Sequence, residues 1–228
     1  MIRVKSSTLL LFITCAIWII GFAPVCTAFG LGSVTGLMSR GSNPSTSSVL
    51  QQQGKLIADF RSSQAELLQA QALFETAFGH KNQAAELRAD AKALATGASE
   101  QDVEKAIADS SRANAQIDDD MKRSATLSAE GRKDYIRAIP PYAGGLIRAI
   151  AMRPDFTNFL TAAQRAIASA SITDKLSIRS KLANGLYVAE HAPAYIGSLE
   201  STTGDLLSYA KADEIAIPTD ALSHIPVT

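Results

Sequence analysis

KLIADFRSSQAELLQAQALFETAFG, residues 55–79, decides the fold class of this 228-residue chain. Leu56, Phe60, Leu67, Phe74 and Phe78 fall at spacings of four, seven, seven and four, and Ile57, Leu68 and Leu73 widen the stripe. A helix of 3.6 residues per turn gathers such a series onto one face and leaves Gln, Lys, Arg and Glu opposite. Gly79 follows as the residue that most readily takes the left-handed conformation closing a helix. The pattern starts near Val49 and predicts a long amphipathic first helix packed against later ones.

Downstream the chain repeats this kind of signal. Residues 82–95 (NQAAELRADAKALA) are Ala-rich and helix-favouring, with Leu87 and Leu94 as a thin apolar stripe and Gly97 as the stop. Ser99 with Asp102 three residues later makes a capping-box variant. It opens a helix whose seam is Val103, Ile107, Ile117 and Met121. Ser110 and Asn114 fall in that seam at heptad spacing. Either they are buried polar residues that fix register, or the helix tilts away from its partner there.

In the second half Ser128 opens a short helix. Pro140 and Pro141 are expected to end it, since proline lacks a donor and clashes with the preceding turn. Residues 142–152 (YAGGLIRAIAM) then restart, with Pro141 in the first turn. Gly144 and Gly145 each cost about 1 kcal/mol inside a helix relative to Ala, which suggests close helix–helix approach. Asp155 is expected to cap the next helix, with Phe156, Phe159, Leu160, Ala163 and Ile167 on its apolar face. Thr173 or Asp174 opens another that carries Leu176, Leu182, Leu186 and Tyr187. Pro193 is expected to begin the last helix. The echo between Ile139-Pro140-Pro141-Tyr142 and His191-Ala192-Pro193-Ala194-Tyr195 aligns Pro140, Tyr142, Gly144 and Leu146 with Pro193, Tyr195, Gly197 and Leu199. Two units do not make a solenoid.

The chain therefore reads as all-α, an irregular bundle of six to eight helices over residues 49–214. A Gly/Ser-rich arm (29–48) precedes it and an extended tail (215–228) follows. Pro218 and Pro226 restrict that tail to an edge strand or an extended arm. The first 28 residues look like an export signal. Arg3 and Lys5 precede an uncharged apolar run of 14 residues (9–22), then Pro24 and a small-residue site with Cys26 at −3 and Ala28 at −1. A run of that length falls short of the roughly 20 residues of a membrane span. Neither Cys15 nor Cys26 has the small preceding residue that lipid attachment needs. Cleavage after Ala28 would place the protein in the periplasm or outside the cell. It would remove both cysteines and the only tryptophan, Trp18, leaving no disulfide and no thiolate chemistry.

The 22 basic and 22 acidic residues balance, and loss of Arg3 and Lys5 leaves a net charge of −2. Nothing in that balance fits a nucleic-acid or membrane-surface partner. His80, His191 and His224 have no ligand spacing, so no metal is expected. Asp118, Asp119 and Asp120 are consecutive, whereas calcium loops alternate their carboxylates, so a solvated helix face is the expectation. There is no GxSxG, no phosphate loop and no GxGxxG, and neither a catalytic residue nor a cofactor is assigned. Glu190 and His191 are adjacent and so point different ways on a helix. The tyrosines, Tyr135, Tyr142, Tyr187, Tyr195 and Tyr209, concentrate in the second half. A ring with a polar tip suits interfaces as well as cores. The candidate interaction groove is therefore placed at Tyr142, Gly144, Gly145, Tyr195 and Gly197.

Leu160-Thr161-Ala162-Ala163-Gln164-Arg165 reads LTxxQR, which resembles the motif of the Spy/CpxP family of small periplasmic stress chaperones. Leu127-Ser128-Ala129-Glu130-Gly131-Arg132 is a degenerate copy in which Gly131 replaces Gln. The chain departs from that family in length, and Thr followed three residues later by Gln is also a capping box. The resemblance implies chaperone-like binding of unfolded clients. The leading expectation is an exported, non-enzymatic protein of the bacterial envelope that binds other proteins or supports an envelope assembly. A chaperone-like client binder and a helical-bundle ligand carrier or enzyme are the alternatives.

Overall fold

A computed structural model describes residues 44–97 and 99–217 of the chain. The leader, most of the arm and residues 218–228 of the tail lie outside them. Among the described residues seven helices and no strand are present: α1 (Thr46–Phe78), α2 (Lys81–Thr96), α3 (Glu100–Lys122), α4 (Ala129–Ala151), α5 (Arg153–Ser169), α6 (Ile172–Lys181) and α7 (Ala183–Ala212). None of them is long and apolar enough to cross a membrane.

α1 is the axis of the bundle. It packs most extensively on α4 and α2 and also touches α3, α5 and α7. It starts at Thr46, a little before Val49, because the Ser45 hydroxyl accepts the Ser48 N–H at 3.2 Å and caps it. It stops where Gly79 takes φ 94°. Leu56, Phe60, Leu67, Leu68 and Phe74 are buried as the spacing predicts. The polar residues beside the stripe are a correction. Ser63, Gln64, Gln71 and Glu75 are buried too, because neighbours surround α1 instead of lining one side of it.

The Ser99–Asp102 capping box forms as expected at the start of α3. The prolines behave otherwise. α4 runs unbroken through Pro140 and Pro141, and α7 runs through Pro193. Pro140 and Pro193 are exposed and Pro141 half-buried. Each removes one backbone donor from its helix. The inward faces hold the helices straight through. On α4 these are Tyr135, Ala138, Ile139, Tyr142 and Leu146, and on α7 Ala192, Tyr195, Ile196 and Leu199.

Two joints are single residues without a side-chain cap. Met152 ends α4 and begins α5, so Asp155 lies inside the first turn of α5 and is not its cap. Leu182, with φ −97° and ψ 0°, joins α6 to α7. It separates Leu186 and Tyr187 from the helix they were expected to share with Leu176. Ile215, at the start of the tail, is buried in the core.

The aromatic residues form the centre. Phe74 meets Tyr135 edge-on at 5.0 Å and Tyr142 at 5.8 Å, and Phe78 meets Tyr209 at 5.7 Å. Each buried hydroxyl finds an acceptor. Tyr135 donates to the Leu206 carbonyl at 2.7 Å, Tyr142 to that of Leu199 at 3.0 Å, and Tyr209 to that of Ala125.

Glycines mark close crossings on α1. A Cβ at Gly145 would lie 2.8 Å from Leu67 Cγ and 3.1 Å from the Ser63 carbonyl oxygen, whereas at Gly144 it meets only Glu66 Oε2 at 3.7 Å. Gly145→Ala is expected to cost about 1–3 kcal/mol by overpacking, and Gly144→Ala to gain up to about 1 kcal/mol from helix propensity. Urea unfolding of the two variants checks the contrast. Equal effects would contradict the α1–α4 crossing. Gly131 is equally constrained, since a Cβ there would meet the Ala77 carbonyl oxygen at 2.6 Å. That contact explains why Gly stands where the degenerate LTxxQ copy lacks its Gln.

Candidate functional site

The seam where α3 meets α1, α4 and α7 is polar. Ser110 is 0 % and Asn114 6 % exposed, so α3 does not tilt away there. Gln71 of α1 donates to the Ser110 carbonyl at 3.0 Å, and the Ser110 hydroxyl donates to Gln71 Oε1 at 2.6 Å. The same hydroxyl lies 2.5 Å from Tyr195 Oη. One turn on, Asn114 Nδ2 donates to Thr202 Oγ1 at 2.8 Å. Burial pushes the Tyr195 phenol up to about 12, so the group stays a neutral donor and acceptor. These bonds fix the register of α3 against α1 and α7, because a shift by one turn would strand every partner at once.

Outside this seam α3 and α7 diverge into a groove of about 670 Å³. Asn114, Tyr195 and Thr202 form part of its floor, and Asp118, Lys122, Tyr187, His191 and Asp205 line its sides. Asp118 pairs with Lys122 at 2.5 Å. That hydrogen bond holds the Asp118 carboxyl below the usual range. The neighbouring Asp118 holds the Asp205 carboxyl above it. Tyr187 and His191, one turn apart on α7, stack at 4.3 Å. His191 Nδ1 donates to the Tyr187 carbonyl at 2.9 Å, which fixes the imidazole ring. Burial, then the nearby Glu104 charge, raises the Tyr187 phenol.

The Asp118 and Asp205 carboxyls and a fixed aromatic pair can receive a cationic group through charge-assisted hydrogen bonds and ring stacking. Among the described residues no group of three or more His, Asp or Glu is placed to hold a metal ion.

The residues expected to form a groove are spread over different surroundings. Tyr142 and Gly145 are buried against α1, Gly144 looks toward Glu66, Tyr195 reaches the groove floor, and Gly197 is exposed with open space beside it. Tyr142 and Tyr195 are brought together only through successive turns of α3, at Asn114 and Ser110. The acidic run divides in a way the solvated-face expectation misses. Asp119 is exposed, Asp118 lines the groove, and Asp120 is buried against His80 and Arg123. Asp205 and Lys122 were not among the expected site residues, and Tyr187 was expected only as one of the second-half tyrosines. The polar Ser201-Thr202-Thr203 run before Asp205 is a signal that could have found them.

The LTxxQR segment lies in the middle of α5, and its Thr161 hydroxyl donates to the Thr157 carbonyl at 2.9 Å, so it caps nothing. In the degenerate copy Ser128 does cap α4, accepting the Gly131 N–H at 3.0 Å. No protein-family model, curated protein or solved structure matches the chain.

Proposed function

We propose that this is an exported, non-enzymatic helical protein of the bacterial envelope that binds another protein, with the α3–α7 groove as its working surface. The export-type leader supports the compartment. The observation that carries the binding reading is the groove itself: an open cleft of about 670 Å³ whose largely apolar lining carries the Asp118 and Asp205 carboxyls on its walls, above a hydrogen-bonded floor. A basic side chain of the partner is the complement of that pair. The carrier alternative asks for a closed pocket walled by tyrosines, yet Tyr135, Tyr142 and Tyr209 are packed in the core. The chaperone-like alternative asks for a concave apolar surface. The large exposed apolar side chains among the described residues are Ile172 (88 %) and Leu176 (80 %), one turn apart on the short α6.

The test is chemical crosslinking of the protein in its own envelope fraction, followed by isolation of the crosslinked partner. Asp118→Asn with Asp205→Asn is expected to weaken the recovered complex about tenfold or more, about 1.4 kcal/mol. Gly197→Ala, on the exposed face of α7, should leave it unchanged. Equal affinity for both variants would contradict the groove. The secreted form should also lack indole emission, since Trp18 leaves with the leader. Retained emission would contradict cleavage after Ala28.

A further inference from the structure

One ionisable side chain has no place in the seam or the groove. Glu75, in the last turn of α1, is 0 % exposed, and neither carboxyl oxygen has a hydrogen-bond partner. Its backbone is part of the corner that turns the chain into α2. The Glu75 carbonyl accepts the His80 N–H at 2.7 Å, and the Thr76 carbonyl accepts the Gly79 N–H at 3.1 Å. The charged groups that act on its carboxyl are His80, from that corner, and Asp120, from α3. His80 Nε2 lies 2.8 Å from Asp120 Oδ2, and Asp120 also receives Arg123 at 2.8 Å and Gln116 at 3.2 Å. From α2, Arg88 donates to Thr76 Oγ1 at 2.9 Å. The α4 and α7 groups packed on this end of α1 are the Tyr135 and Tyr209 rings and the backbone at Gly131.

The neighbouring arginines are thus engaged by other acceptors. A carboxylate in a dry site without a partner carries the full desolvation penalty, whereas the neutral acid carries far less. Burial lifts the Glu75 carboxyl to about 7, with His80 opposing the rise.

We propose that Glu75 is a proton switch in the corner joining α1, α2 and α3: with its proton the corner is shut, and without it the side chain leaves the interior and α2 loosens about the Gly79 turn. The geometry suits this motion. The Gly79 turn is the one hinge between α1 and α2, and the His80–Asp120 pair is the side-chain tie that links that hinge to α3. An ionised Glu75 competes with Asp120 for His80, so the charge that must be solvated also weakens that tie. The switch stands apart from the groove and does not depend on the function proposed for it.

Hydrogen exchange of the protein at pH 6 and pH 8.5, corrected for intrinsic exchange rates, tests the proposal. Protection over α2 and the end of α1 is expected to fall at least fivefold more than over α5. Glu75→Gln should remove that difference, while His80→Gln should keep it. A difference that survives Glu75→Gln, or that only His80→Gln removes, would overturn the proposal. Uniform exchange across the two pH values would also overturn it. A carboxyl ¹³C titration of the unmutated protein gives an independent reading. The resonance missing from Glu75→Gln should titrate near neutrality, and titration in the ordinary carboxylate range would exclude a switch.

Discussion

Phe74→Ala is expected to lower the unfolding free energy by about 3–5 kcal/mol, the largest loss from any single side chain in the chain. Phe74 is fully buried where α1 meets α4, and its ring lies edge-on to both Tyr135 and Tyr142. The cost has two parts. One is the apolar area returned to water on unfolding that the variant no longer gains, and the other is the cavity left behind. Tyr135 and Tyr142 cannot move in to fill that space, because their hydroxyls are tied to the Leu206 and Leu199 carbonyls. Urea unfolding followed by circular dichroism measures the change. A loss below about 1 kcal/mol would mean that the site collapses freely and that the aromatic cluster is not the centre of the core. Phe78→Ala, at a half-buried position, should cost less.

The second large effect concerns Glu75 and depends on pH. Its folded carboxyl titrates at about 7 against 4.5 for the free group, so the folded state holds its proton more tightly than the unfolded state does. Stability from this group is therefore fully present below pH 4.5, falls as the pH rises through that window, and is gone above 7. A displacement from 4.5 to about 7 corresponds to at most about 3 kcal/mol. Local opening of the α2 corner would reduce the observed figure. Glu75→Gln resembles the protonated acid, so its stability should lack this slope. The variant is expected to match the parent near pH 4 and exceed it by about 1–3 kcal/mol at pH 8. Guanidinium unfolding at the two pH values checks this. A parallel pH dependence in both proteins would show that Glu75 ionises without cost.

Helix class and the apolar faces were legible because they rest on local periodicity. Leu56 to Phe78, the Ser99–Asp102 box and the Gly79 stop depend only on residues a few positions apart. The α4–α5 and α6–α7 joints were not legible. Met152 and Leu182 turn the chain without any capping residue, and the loud signals, Pro140, Pro141 and Pro193, sit inside helices that the buried faces of α4 and α7 carry straight through. The Gly144–Gly145 pair pointed to close approach, but only the crossing partner shows that Gly145 is the constrained one.

The groove was harder still. Asp118 and Asp205 lie far apart in sequence, and each on its own looks like an ordinary solvated acid. Ser110 and Asn114 were visible as a polar interruption, yet only the arrival of α1 and α7 supplies Gln71, Tyr195 and Thr202 as their partners. Buried Glu75 was hidden for the same reason. The first-helix pattern assigns it to the polar face, and only α2, α3 and α4 together cover that face.

The most direct test of the account is a photo-crosslinking residue at Ser201, in the groove, compared with the same residue at Glu86, on the exposed face of α2, in living cells. The account predicts one discrete protein adduct from Ser201 in the envelope fraction, lost when Asp118 and Asp205 are changed to asparagine, and none of that size from Glu86. The same adducts from both positions, or an adduct that survives loss of the two carboxylates, would contradict it.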